Sequence, residues 1–248
     1  MTDTDNPGSA FEDSADEAGG PPRRGEGPVR PRDAATLILV RRSGPEPQIL
    51  MGRRHGGHVF MPNKFVFPGG RVDPGDWRIA AASELKPHVV RRAAHGATPG
   101  RARALALAAI RETFEETGLL LGAPCDRPPR SRSKGWQPFF ERRVQPVLEP
   151  LEFIARAITP PARTRRFDAR FFLAGAEHIA GTTRPDNGSG ELLELHWLTL
   201  GEAHRLDLPS ITRFVLGELE THLREGPDAA RSVPFVYFRR GRTVIDPL

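Results

Sequence analysis

The sequence predicts an α/β protein in which helices cover a mixed β-sheet. Short runs rich in branched and aromatic residues recur along the chain, as in "ATLILVRRS" (35–43) and "DARFFLAG" (168–175), and two amphipathic helical segments are interspersed among them. Such an order of elements is typical of helices packed on a sheet. The chain has 248 residues and is 38% hydrophobic, which is enough for one large domain with a sizeable core.

The first part of the chain differs in composition from the rest. Residues 1–31 are rich in acidic residues, Gly and Pro, and contain almost no large apolar residue besides Phe11. A segment of this kind cannot bury enough surface to offset the entropy lost on ordering. We therefore predict a disordered tail over 1–31 and a folded domain over 32–248.

The strands are predicted from short apolar runs bounded by turn residues. The runs "ATLILVRRS" and "PQILMGRR" (47–54) flank the turn residues "GPE" and predict a β-hairpin, and "KFVFPGG" (64–70) predicts a strand that ends in a glycine turn. Further strands are predicted in the runs "VLEPLEFIARAIT", "DARFFLAG", "ELLELHWLTL" and "PFVYFRR".

Two helices are predicted from apolar residues at helical spacing. The clearest covers "ARALALAAIRETFEETGLLLG" (102–122), with Gly118 as a C-terminal stop, and the second covers "LPSITRFVLGELETHL" (208–223). A Pro- and Arg-rich loop over about 123–138 follows the first helix.

Composition excludes several classes of site. The 36 basic residues, all but three of them arginine, exceed the 31 acidic ones by only five, so nucleic-acid binding is not indicated. The single cysteine, Cys125, excludes an internal disulfide and a cysteine-rich metal site. No apolar run reaches the roughly 18 residues of a membrane span, and the N-terminus does not resemble a signal peptide. A cytoplasmic protein that does not enter membranes is the expectation.

The first helix carries three glutamates within five positions, in "RETFEETG" (111–118). At 100° per residue, Glu115 and Glu116 lie about 60° and 40° to either side of Glu112, whereas the apolar residues of the helix lie on the opposite face. Solvated helix faces usually interleave Glu with Lys or Arg, but here only Arg111 is near. Three carboxylates with so little compensation indicate a hard cation, Mg²⁺ or Mn²⁺, bound by Glu112, Glu115 and Glu116.

These residues, taken with the upstream stretch "FPGGRVDPGD" (67–76), resemble the Nudix box. The residues that match the pattern are Gly70, Arg111, Glu112, Glu115, Glu116, Gly118 and Leu119. The resemblance implies a Nudix α/β/α sandwich with a mixed central sheet and a catalytic loop and helix. It also implies an enzyme that hydrolyses a diphosphate joining a nucleoside to another group.

The chain departs from the box in three places. Asp76 stands where the pattern has Glu, and Thr113 replaces an apolar residue. Asp76 and Arg111 are separated by 34 residues instead of seven, which places an insertion at about 77–104. Closure entropy rises slowly with loop length, so the two halves of the box can still meet. The interrupted box is similar to that of the Nudix branch with the peroxisomal and mitochondrial coenzyme A diphosphatases.

The resemblance implies roles for the residues at the box positions. Glu112, Glu115 and Glu116 would hold the metal, with Arg111 orienting Glu112 or Glu115 through a salt bridge. Gly69 and Gly70 would let the backbone approach the phosphates, and Arg54 and Arg71 would bind them. The general base is left open between Glu112 or Glu115 and, as a second choice, Asp186 or Glu191.

Other candidate residues are weaker. Arg53, Arg163, Arg165 and Arg166 could bind outer phosphates, and Phe167 and Trp197 could stack on a base, although both aromatic residues are more simply explained as core. "HGGH" (55–58) favours a substrate-side loop over a metal pair. "WRIAAASEL" (77–85) has helical character, and the insertion is expected to form either a short helix and a loop at the rim of the active site or a neutral surface excursion.

Several functions remain open from sequence alone. The first expectation is a Mg²⁺-dependent diphosphatase that cleaves coenzyme A or acyl-CoA to 3′,5′-ADP and phosphopantetheine. The alternatives are a diphosphatase for ADP-ribose, NADH or a nucleotide sugar, and a catalytically silent Nudix module that binds RNA or protein. The retained carboxylates argue against the silent module, and a homodimer is an open alternative to a monomer.

Overall fold

The computed structural model of the protein describes residues 29–55, 63–161, 163–186 and 188–248. The predicted tail over 1–31 lies outside the described residues except for 29–31, and most of the "HGGH" stretch lies outside them as well. The domain begins with a strand at Arg32.

Twelve strands and five helices are defined over the described residues. The strands are β1 Arg32–Arg41, β2 Gln48–Arg54, β3 Phe65–Val66, β4 Gly69–Arg71, β5 Leu120–Pro124, β6 Val144–Pro146, β7 Glu152–Ile158, β8 Phe167–Gly175, β9 Ile179–Ala180, β10 Leu192–Thr199, β11 Pro234–Arg239 and β12 Arg242–Pro247. The helices are α1 Pro87–Ala93, α2 Pro99–Thr117, α3 Gln137–Glu141, α4 Leu200–His204 and α5 Ser210–Glu225.

The main sheet is mixed, as predicted. Its strands follow the order β10-β2-β1-β8-β7-β11-β12, with β3 paired to β2 and β4 paired to β1. The β1–β8 and β7–β11 pairs are parallel and the others are antiparallel. A smaller sheet in the order β6-β5-β9 lies beside the end of α2.

Alternate residues of β1 face the two helical layers. Ala35, Leu37 and Leu39 pack with α2 in one core cluster, and Ile38 and Val40 pack with α5 in the other. Because side chains alternate across a strand, one central strand can contribute to both cores. The predicted α/β/α sandwich is confirmed.

The box helix α2 has clear start and stop signals. The side chain of Thr98 accepts a hydrogen bond from the amide of Arg101 at the N-terminus. Gly118 ends the helix in the left-handed region, with φ of 72°, as predicted. The residues after Gly118 form β5, as the predicted stop requires, and the helix begins at Pro99, three residues before the start of the predicted segment.

The loop predicted over about 123–138 is correct for 125–136, but its first two residues belong to β5 and its last two to α3. Trp136 and Phe139 are fully buried, and α3 begins at Gln137. The two rings pack edge to face with their centroids 5.1 Å apart. The many Pro and Arg residues in this stretch predict an exposed loop, so the sequence did not indicate that Trp136 and Phe139 belong to the core.

The helix of the insertion lies later than predicted. The helix predicted over 77–85 is wrong: Asp76–Arg78 forms only a 3-10 turn, and the helical segment is α1. Ile79 and Leu85 are buried, and the amide of Ala82 donates to the carbonyl of Pro146. These tertiary contacts override the helical propensity of the alanines.

The insertion is tied to the sheet by buried arginines. Arg156 of β7 donates to the carbonyl of His95 (2.9 Å), and the fully buried Arg170 of β8 lies 3.4 Å from the carbonyl of Ala93. Both arginines are ion-paired with the buried Asp168, at 2.8 and 2.9 Å. The insertion is therefore part of the folded core.

Replacing Ile79 by alanine is expected to lower the free energy of unfolding by about 2–5 kcal/mol, because it empties a buried site in the insertion. Trp77→Ala is the matched control, since Trp77 is 47% exposed and its loss should change stability by about 0.5 kcal/mol or less. Denaturant unfolding measures both variants. Equal stability of Ile79→Ala and the wild-type protein would show that the insertion is not packed as described.

Candidate active site

The two halves of the box meet where β4 lies against α2. The amide of Gly69 donates to the Glu116 carboxylate (2.8 Å). A Cβ on Gly70 would lie 2.4–2.5 Å from the carboxylate atoms of Glu112, so only glycine permits this approach without displacing Glu112. The insertion between the two halves does not prevent their contact.

Arg111 is a buried positioning residue. Its Nε and Nη2 donate to the two oxygens of Asp76 (2.9 and 3.0 Å), and Nη1 donates to Glu112 (3.0 Å) and Glu115 (3.1 Å). Nη2 also donates to the carbonyl of Arg71 (2.8 Å). A planar guanidinium thus fixes two carboxylates of the acidic face and joins α2 to β4.

Asp76 takes the place of the longer glutamate because other donors reach it. Besides Arg111, it accepts hydrogen bonds from the indole of Trp136 (2.7 Å) and from the amide of Asp73 (2.7 Å). Asp76 is fully buried with both oxygens satisfied. Sequence reasoning missed Trp136, which lies 60 positions from Asp76; a tryptophan in a polar, Pro-rich stretch was the only available signal.

Burial governs the charge of the glutamates. It raises the pKa of Glu116 to about 8, against the opposing effects of Arg54 and the Gly69 amide. It also raises the pKa of Glu112 to about 7 and shifts that of Glu115 upward, while Arg111 opposes both shifts. Burial therefore disfavours the charged form of all three carboxylates.

The acidic face is less exposed than the sequence suggests. Glu116 is 3% exposed, and Glu112 and Glu115 are half-buried. The glycine turn covers Glu116, and the loop before β10 covers the end of α2: the amides of Ser189 and Asp186 donate to carbonyls of that helix end. The acidic face lies opposite the apolar face of α2, as predicted, but other segments of the chain cover part of it.

The two second-choice bases lie in different settings. The carboxylate of Asp186 accepts a hydrogen bond from the amide of Gly188 (3.0 Å), as in an ordinary turn. Glu191 lines the same cavity as Glu112, and its charge raises the pKa of Glu112, Glu115 and Glu116. Of the two, Glu191 is the residue whose charge acts on all three glutamates.

The glutamates form a suitable donor set for a hard cation, although they are not arranged around one. In the described ranges, no three His, Cys, Asp or Glu side chains converge closely enough to hold a metal ion as they stand. Glu112 and Glu115 face Arg111, and Glu116 faces the Gly69 amide. The donors are all oxygen, and a cation would stabilise the charged carboxylates that burial disfavours. The residues therefore fit Mg²⁺ or Mn²⁺ if the carboxylates rotate toward it.

A cavity of about 720 Å³ opens beside Glu112 on the α5 side of the sheet. Its floor includes Ala34 and Thr36 of β1 and Ala169 of β8, whose small side chains leave space next to the region that α5 covers. Gly69, Gly70, Arg54 and Arg71 line it, as do Arg165, Arg166 and Phe167. The structure thus brings all four predicted substrate-binding residues to one cavity.

A second, more open groove lies on the other side of the acidic helix and is lined by Glu115. None of the described residues that line the cavity or the groove comes from the insertion at 77–104. These linings do not support the predicted position of the insertion at the rim of the active site; over the described residues the insertion packs on the core.

The remaining candidates lie elsewhere or have other partners. Arg53 is ion-paired with Glu194. Trp197 donates to the carbonyl of Thr183 (3.0 Å) and lies beneath Arg41, so it is a packing residue as expected.

No helix in the described part of the chain is long and apolar enough to cross a membrane.

Replacing Gly70 by alanine is expected to lower kcat at least about 10-fold, or about 1.4 kcal/mol, with little change in stability. The added Cβ would push the Glu112 carboxylate away from Arg111, and a flexible side chain can move at small cost. Steady-state kinetics and thermal unfolding measure the two effects. Gly201→Ala is the matched control, because a Cβ there meets no atom within 4 Å; wild-type kcat in Gly70→Ala would contradict this role for the glycine.

Comparison with known proteins supports the resemblance to Nudix enzymes. The chain is 30% identical to the acyl-coenzyme A diphosphatase NUDT19 of Gallus gallus over 240 residues, which cover 75% of this chain and 59% of that protein. It is 27% identical to the Xenopus laevis protein of the same name, with 76% and 69% covered. The crystal structure of a NUDIX hydrolase from Alicyclobacillus acidocaldarius matches with a TM-score of 0.61 and 27% identity, over 80% of this chain and 99% of that one.

The similarity extends over part of the length of the curated relatives. The chain spans about three fifths of the length of the Gallus gallus relative. No family model matches the chain. The resemblance to the Nudix hydrolases and the Nudix fold are nevertheless confirmed by the relatives and the solved structure together.

Proposed function

We propose that this chain, a member of the Nudix hydrolase superfamily, is a Mg²⁺-dependent diphosphatase acting on coenzyme A or acyl-CoA. Water would cleave the diphosphate to give 3′,5′-ADP and phosphopantetheine or its acyl derivative. The observation that carries the proposal is the contact of the carboxylates of Glu112 and Glu116 with the glycine turn at the end of a substrate-sized cavity.

The residues of the site would have three different roles: metal binding, positioning of the carboxylates and close approach of the backbone. Glu112, Glu115 and Glu116 would hold Mg²⁺, which when bound supplies positive charge that stabilises the phosphate oxygens in the transition state. Arg111 keeps Glu112 and Glu115 in place without contacting the substrate. Gly69 and Gly70 let the backbone of the glycine turn approach β1 and the Glu112 carboxylate, in the wall of the cavity that would hold the diphosphate.

Arg54 is well placed to bind the diphosphate directly. It lines the cavity, and its charge acts on Glu116. Its Nε is buried without a hydrogen-bond partner among the described residues. Buried donors normally have a partner, so an anionic ligand would complete this one. Arg71 lines the cavity on the neighbouring strand.

The general base is proposed to be Glu112 or Glu115, with Glu191 as the second choice. Burial raises the pKa of Glu112 to about 7 without metal, and a bound cation would lower it, which favours the carboxylate form that a base requires. Glu191 lines the cavity opposite the carboxylates of α2 and is exposed to water. Asp186 is the weakest of the four because its carboxylate caps its own turn.

Product analysis over a panel of substrates tests the proposal. Coenzyme A, an acyl-CoA, ADP-ribose, NADH and a nucleotide sugar would each be incubated with the protein and Mg²⁺, and the products identified by mass spectrometry. We expect the highest kcat/KM for coenzyme A or acyl-CoA, loss of activity in excess EDTA, and recovery with Mg²⁺. Activity that persists without metal, or a clear preference for another member of the panel, would refute the proposal.

A further inference from the structure

The end of the cavity away from α2 carries positive charge that the scissile diphosphate does not account for. Arg32, Arg165 and Arg166 line this end, and we call them the arginine rim. Together with Arg54 and Arg71 they make five arginines around the cavity, against two glutamates, Glu112 and Glu191. The cavity is therefore strongly positive away from the acidic helix.

The register of the strands places the rim at a distance from the glycine turn. Gly69 pairs with Thr36 of β1, and Arg32 lies four residues farther along the same strand. At about 3.3 Å per residue, the rim begins about 13 Å from the glycine turn along the cavity floor. Arg166 is held beside Arg32, because the amide of Arg32 donates to its carbonyl (2.9 Å).

The rim arginines differ from most inward-facing arginines of this protein, which are paired with carboxylates. The paired arginines are Arg101 with Asp33, Arg103 with Glu84, Arg111 with Asp76 and Arg156 with Asp168. Among the described residues, no carboxylate forms a salt bridge with Arg32, Arg165 or Arg166. Arg166 donates only to the carbonyls of Thr159 and Val29.

Arg166 is also fixed by its own contacts. Its Nε donates to Thr159 (3.0 Å) and its Nη1 to Val29 (2.7 Å), and burial lowers its pKa. A partly buried guanidinium that receives only neutral acceptors can gain charge-assisted hydrogen bonds from an anion. Arg32 and Arg165 are exposed at the same end of the cavity and can adjust to it.

We infer that the arginine rim is a subsite for a second phosphate, a monoester on the ribose of the nucleoside, separate from the diphosphate that is cleaved. The inference rests on the proposed function, in which the substrate is a coenzyme A derivative. The 3′-phosphate of its adenosine is the phosphomonoester that would lie at the rim while the diphosphate lies beside α2. The rim would thereby distinguish coenzyme A from nucleoside diphosphates without this phosphate.

Coenzyme A and 3′-dephospho-coenzyme A, which differ only in that phosphate, test the subsite. For the wild-type protein with Mg²⁺ we expect KM to be at least about 10-fold lower for coenzyme A, as one or two charge-assisted hydrogen bonds allow. The double variant Arg32→Gln, Arg165→Gln should raise KM for coenzyme A by a similar factor, with kcat and the KM for dephospho-coenzyme A unchanged. Arg91→Gln, at an exposed position of α1 outside the cavity, is the matched control.

A binding measurement tests whether the rim recognises a phosphate at the 3′ position or binds any phosphate group. Calorimetric titration of the protein without metal would compare 3′,5′-ADP with its isomer 5′-ADP, and we expect the double variant to weaken only 3′,5′-ADP. Equal weakening of both isomers, or equal KM for the two coenzymes in the wild-type protein, would overturn the subsite. If neither coenzyme is cleaved, the proposed function fails, and the calorimetric comparison alone decides whether the rim binds a ribose phosphate.

Discussion

Replacing Glu116 by glutamine is expected to lower kcat at least about 100-fold, a loss of about 2.7 kcal/mol of transition-state stabilisation. The neutral amide cannot supply the charge that holds a divalent cation beside the phosphates. Glu115→Gln is expected to reduce kcat by at least the same factor. Steady-state kinetics with saturating Mg²⁺ measures both variants.

The fold should survive the Glu116 substitution. The amide oxygen of glutamine can still accept the hydrogen bond of Gly69, and burial already raises the pKa of Glu116 to about 8, so the charged form is not needed for stability. Glu141→Gln, on the exposed end of α3, is the matched control and should keep wild-type kcat. Near wild-type turnover in Glu116→Gln would show that Glu116 is not a metal ligand.

Replacing Arg111 by alanine is expected to lower the free energy of unfolding by about 3–5 kcal/mol, because the substitution leaves the buried Asp76 without its cation. Activity should also be lost, since Glu112 and Glu115 would no longer be held. Denaturant unfolding gives the stability, and kinetics gives the activity.

Two further variants sharpen this prediction. Arg111→Lys keeps the charge but cannot bond both oxygens of Asp76 at once, so its stability should lie between those of the alanine variant and the wild-type protein. Arg103→Ala removes an arginine of the same helix that is paired with the exposed Glu84, and about 1 kcal/mol or less is expected. Equal costs at Arg103 and Arg111 would contradict the buried ion pair as the source of the effect.

The box residues illustrate what the sequence can predict. Helical spacing placed Glu112, Glu115 and Glu116 on one stripe. In the structure Glu112 and Glu115 both contact Arg111, and Glu112 and Glu116 both lie against the glycine turn. The hairpin, the strands β7, β8, β10 and β11 and the helix α5 were also predicted, because their apolar periodicity is local. Elements that are specified by such local patterns can be predicted without knowledge of the tertiary structure.

Contacts between distant parts of the chain were not predictable in the same way. The indole of Trp136 meets Asp76 across 60 positions, and no local pattern marks that hydrogen bond. The alanines after Trp77 favour a helix, yet Ile79 and Leu85 bury into the core without one. The cavity was also not predictable. It exists because α5 covers Ile38 and Val40 of β1 but leaves Ala34 and Thr36 uncovered. The alternation of residues along β1 shows which of them share a face, but not which part of that face a distant helix covers.

Binding of Mn²⁺, followed by electron paramagnetic resonance as the free ion is titrated with protein, tests most directly whether the acidic face of α2 is a metal site. We expect saturable binding to the wild-type protein and to Glu141→Gln. Affinity should fall at least about 10-fold in Glu112→Gln and in Glu116→Gln, since each loses a charged ligand. Undiminished Mn²⁺ binding by both box variants would contradict the account, because the carboxylates of α2 could then not be the ligands of the catalytic metal.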